Sequence, residues 1–72
     1  MIILKDTFND RIISRHRKLE TAVRARRKHA NDLSRRSPGS YVWYGFHYEN
    51  GELVDHEEIA LLEYELINRK RS

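Results

Sequence analysis

The chain has 72 residues, a formal net charge of +3 and no cysteine, which leaves room for one domain with a small core and excludes disulfide or thiolate-metal staples. Its charge is polarised: residues 1–36 carry eleven Lys or Arg against four Asp or Glu, and residues 37–72 carry three against seven. A local field of that kind steers association with a charged partner whatever the small total.

Residues 1–4 are apolar but give way at once to Lys5 and Asp6, too short a run for the apolar region of a signal peptide or for a membrane span. With the absence of cysteine, this predicts a soluble, cytoplasmic protein. Residues 2–7 read as a strand, Phe8, Asn9 and Asp10 as turn residues, and residues 11–15 as the return strand, so a hairpin is expected over 2–15. From residue 18 the period changes. Leu19, Ala22, Val23, Arg26, Ala30 and Leu33 recur at steps of three and four, which predicts a helix over 18–36. Pro38 cannot continue a helix and Gly39 frees the backbone to turn, so residues 37–40 form a loop.

Residues 41–49 are dense in aromatic side chains that favour strands, and Asn50-Gly51 is a strong hairpin turn leading into a return strand at 52–54. A second hairpin is therefore expected over 41–54. Asp55 is placed to cap a helix over 57–69, with Glu58 completing a capping box and the basic run from Arg69 to Arg71 suiting the negative end of the helix dipole. The layout predicts a single α+β domain of ββαββα order, a two-layer sandwich with both helices on one face of a four-stranded antiparallel sheet. The other sheet face is left open or covered by a second copy.

At 100° per residue, Arg17, Arg24, Arg27, Lys28, Asn31 and Arg35 fall within an arc of about 100° on the first helix, opposite its apolar face. Five cations with no acid among them exceed what solubility requires. Lys and Arg displace counterions from phosphates, Arg binds phosphate oxygens in bidentate fashion, and Asn31 is suited to a base-edge contact. Arg26 sits instead on the apolar side, where its stem lies along the core and its head reaches solvent or an acid of the second half, or pairs inward with a carboxylate such as Glu63.

Alternation along the aromatic strand assigns Val42, Tyr44, Phe46 and Tyr48 to the core face. Tyr41, Trp43 and His47 go to the open face, as candidates for stacking bases or for an interface, with Lys5, Arg11 and Arg15 on neighbouring strands as supporting cations. On the second helix Ile59, Leu62 and Leu66 form the core stripe, widened by Ala60 and Ile67. Leu61 and Tyr64 lie nearly opposite and are candidates for a homodimer contact.

Catalysis finds no support. His16, His29, His47 and His56 are not at the spacing of a zinc pair, no serine sits in a nucleophile motif, and the three glycines form no phosphate loop. No catalytic residue, cofactor, metal or small-molecule substrate is expected. The reading is a small non-enzymatic binding protein whose basic helix contacts DNA or RNA. The other class is an inhibitor or adaptor that binds a protein of a nucleic-acid-processing complex, of the type encoded by phages and mobile elements, with an acidic protein surface as the partner.

Overall fold

The computed structural model describes residues 1–40 and 42–71. They form an α+β fold in the order β1 (Ile2–Asp6), β2 (Arg11–His16), α1 (Leu19–Arg36), β3 (Tyr44–Tyr48) and α2 (His56–Arg71). The strands make one antiparallel sheet in the order β2-β1-β3. β1 takes the centre because alternation buries Ile2, Leu4 and Asp6 on one face, leaving Ile3 and Lys5 on the other. Leu4 pairs with Phe46 of β3 and with Ser14 of β2. A bulge between Leu4 and Lys5 re-aims β2, whose Ile13 packs on the core.

Both helices seal that face. Ala22 and Val23 of α1 and Leu66 of α2 join Ile2, Leu4, Phe46 and Val54 in one core cluster, with Leu4 and Val23 fully enclosed. Leu19, Ile59, Leu62 and Tyr44 close its margin.

The first turn is built by Asp6. Its carboxylate accepts from the Asn9 side-chain amide at 2.8 Å and from the Phe8 and Asn9 backbone amides at 3.1 and 3.2 Å. These bonds, the Asn9 side chain foremost, hold the Asp6 carboxyl below its ordinary value of 3.8. Asp10 adopts a left-handed φ of 53°, which Asp tolerates better than most residues, and accepts from Lys5 Nζ at 2.7 Å.

The structure corrects the expected four strands to three among the described residues, and ββαββα to ββαβα. The turn at Asn50-Gly51 forms, with Gly51 at φ 91° and its amide donating to Tyr48 O. The chain also returns along β3, the Tyr48 amide donating to Glu52 O and the Val54 amide to Phe46 O. Yet residues 52–54 make only one isolated bridge, His47 to Leu53. The cause is the helix that follows. Asp55 Oδ1 accepts the Glu57 amide at 3.0 Å, so α2 begins at His56 and the returning segment has no length for a ladder.

The aromatic strand begins at Tyr44 rather than at residue 41; Tyr41 lies outside the described residues. Its inward set is as expected for Phe46, which is buried, and Tyr44, which packs against the core. Tyr48, opposite Ile2 at the sheet's end, remains partly exposed.

Candidate functional site

α1 forms where straight-chain and alanine residues favour the helix, and it meets α2 in antiparallel fashion. Arg26 Nη2 donates to Glu63 Oε1 at 2.8 Å, and two turns earlier on α1 Glu20 Oε1 accepts from Arg69 Nη1 at 2.7 Å. The inward option for Arg26 is the one realised. Its guanidinium also stands 5.8 Å from the centre of the Tyr44 ring, whose hydroxyl lies 2.6 Å from His29 Nδ1. Burial raises the Tyr44 pKa, which keeps that hydroxyl protonated. This seam fixes how far α2 stands from the outer face of α1.

Beside the seam runs a groove of about 650 Å³. From α1 its wall takes Arg24, Lys28, Asn31 and Arg35, spaced by four, three and four residues so that they stack along one side of the helix, with Arg27 next to them. At 1.5 Å per residue that row extends about 17 Å. α2 supplies Leu66 and Arg69, and α1 adds the one lining carboxylate, Asp32. Among the described residues, five cations thus line the groove against a single acid. The sequence-predicted site is brought together except for Arg17. Lys18 is extended, at φ −119° and ψ 146°, so Arg17 lies in the bend before α1 and is not among the residues that line the groove.

The acids of the second half do not quench this surface. Glu63 is taken up by Arg26, and among the described residues no acid of the second half lines the groove. Glu20 is the acid that touches the row, 3.8 Å from Arg24 Nη2 and paired with Arg69. Both pairs are solvent-exposed on the arginine side.

Three lining residues escaped the sequence reading. Arg69 is explained locally by the helix dipole, and Leu66 by the core stripe, so neither signals a groove until α2 is laid along α1. Asp32 falls outside the basic arc. The two pairs together set the direction: with Arg26 opposite Glu63, an antiparallel crossing carries residue 69 toward residue 20.

The open-face candidates are dispersed. Trp43 is 64% exposed and shares a small hollow of about 160 Å³ with Phe8, Asn9, Val42 and Asp6, at the end of the sheet. Phe8, which the sequence marks only as a turn residue, is 80% exposed. His47 is half-buried opposite Ile3, its ring packed over Gly45, where an added Cβ would meet His47 Nε2 at 3.1 Å and Thr7 Cγ2 at 2.6 Å. Lys5 is spent on Asp10, Arg15 stands opposite Ile3 on the open face, and Arg11 pairs opposite Asp6. Leu61 and Tyr64 are exposed on α2.

Among the described residues no group of three His, Cys, Asp or Glu is placed to hold a metal ion, and no helix is long and apolar enough to cross a membrane. Comparison with protein families, with curated proteins and with solved structures finds no match for this chain.

Proposed function

We propose that this chain is a small non-enzymatic protein that binds DNA or RNA by seating a phosphate backbone in the groove between α1 and α2. The observation that carries the reading is the groove lining: Arg24, Arg27, Lys28 and Arg35 from one helix and Arg69 from the other converge on a concave surface with one carboxylate among them. Phosphates entering it release condensed counterions, and the arginines offer bidentate donors. Asn31, at the middle of the row, is the polar side chain free of charge that a base edge can meet.

The test is a salt titration with labelled duplex and single-stranded DNA and RNA. Four or five neutralised phosphates give a slope of log affinity against log salt of about −4. Joint reversal of Arg24→Glu, Lys28→Glu and Arg35→Glu abolishes binding while circular dichroism and the unfolding midpoint stay near those of the native chain, because all three side chains are exposed. Absence of binding to every nucleic acid at low salt overturns the reading and leaves an acidic protein surface as the ligand of the groove.

A further inference from the structure

α2 has a second face that neither the core nor the groove uses. The core of the fold buries seven apolar residues among those described, yet α2 alone leaves Leu61 63%, Tyr64 67% and Ile67 42% exposed. Those three, with the exposed Ala60, form one patch on the side of the helix opposite Leu66. The spacing is that of a seam. Glu57, Leu61, Tyr64, Asn68 and Arg71 follow one another at steps of four, three, four and three, the repeat by which one helix packs along another.

That seam is self-complementary in one direction only. Residue 64 is its centre, so an antiparallel second helix with its two-fold axis at Tyr64 brings position 57 of one copy opposite position 71 of the other, and Leu61 opposite Ile67. The ends are of opposite charge: the helix opens with Glu57 and Glu58, and its sequence closes with Arg69, Lys70 and Arg71. An antiparallel pair sets acid against base at both ends, whereas a parallel pair sets Glu57 against Glu57 and like charges against like throughout. A shallow hollow of about 340 Å³ bounded by Glu57, Ala60 and Leu61 lies where the second copy's Ile67 arrives.

We propose that the outer face of α2 is an isologous dimer surface, in which two copies of this chain pack α2 against α2 in antiparallel fashion about Tyr64. The proposal is independent of what the groove binds, since Leu66 and Arg69 line the groove from the other sides of the same helix. A patch of four side chains falls short of the roughly 800 Å² per partner of a stable interface, so the dimer is a weak one that forms only at high protein concentration.

The absence of cysteine makes the geometry directly testable. In sedimentation equilibrium from about 10 µM to 1 mM, the native chain shifts from monomer toward dimer, and Leu61→Glu weakens that dimer at least tenfold while the circular dichroism spectrum is retained. Under mild oxidation, Tyr64→Cys forms a disulfide-linked dimer because the two thiols meet at the axis. Glu57→Cys does not, because its two copies stand about 21 Å apart along the seam at 1.5 Å per residue. A chain that is monomeric at 1 mM overturns the proposal. Equal crosslinking of Glu57→Cys and Tyr64→Cys overturns the antiparallel register, and a Leu61→Glu dimer as strong as the native one overturns the surface.

Discussion

α1 turns Ala22 and Val23 to the sheet and carries Arg24, Lys28, Asn31 and Arg35 outward, whereas α2 turns Leu66 inward and carries Leu61 and Tyr64 outward. Both helices lie on the same sheet face and are held by the same core. Burial therefore dictates one stripe on each, and the remainder of each circumference is set by something else. Solubility alone would give two mixed, charged outer faces. Instead the outer face of α1 is basic and lines a groove, and that of α2 exposes an apolar patch.

The contrast between inner and outer positions is broken or upheld most sharply on α2, where leucines of the same helix occupy both. Leu66 is enclosed and Leu61 is open. Leu66→Ala should destabilise the fold by about 2–4 kcal/mol, through lost transfer energy and the cavity left in the core cluster. Leu61→Ala should stay within about 0.5 kcal/mol at dilute, monomeric concentration. Denaturant unfolding of the two variants with unchanged m-values measures both. Comparable losses would mean that the outer face of α2 belongs to the fold.

A smaller effect tests what holds the two helices in register. Arg26 and Glu63 are partly buried, with side-chain exposures of 27% and 32%, so their pair is worth less than an enclosed ion pair and more than a surface one. A double-mutant cycle of Arg26→Met and Glu63→Gln should return a coupling of about 1 kcal/mol, the methionine retaining most of the stem that packs near Tyr44. A coupling near zero would remove this seam as the device that sets the width of the groove.

Much of this arrangement is legible in the residue pattern, and the rest is not for physical reasons. The apolar period of α1, the Asn50-Gly51 turn and the inward Phe46 follow from local rules that hold before any packing. The missing fourth strand shows two local signals in competition over residues 52–55: a hairpin return against a helix start at Asp55, with the cap taking the residues a ladder would need. Arg17 was placed by projecting the helix through Lys18, but a residue in the extended region ends the periodicity on which such an angle depends. Arg69 and Leu66 are groove residues only because α2 crosses α1 in antiparallel fashion, a property of tertiary packing that neither helix carries alone.

The smallest effect concerns neither helix, which is what makes it a sharp control on the comparison. If the outer faces are dispensable for folding, the acid sensitivity of the fold should reside in the first hairpin, at Asp6. There the Asn9 side chain and the Phe8 and Asn9 amides favour the carboxylate and hold its pKa below 3.8. A depressed carboxyl contributes stability that is fully present above the unfolded value of 3.8 and is lost as pH falls through the lower folded value. Asp6→Asn should therefore lower the thermal midpoint at neutral pH and flatten its fall on acidification, so that native and variant curves converge toward about pH 2. Asp10, whose carboxyl is held low first by its bond from Lys5, should show the same sign, and Asp10→Asn separates the two contributions. The groove reversal at Arg24, Lys28 and Arg35 should leave the acid limb unchanged in shape. A limb that moves with the groove charges instead would tie the field of α1 to folding and would make its outer face part of the fold.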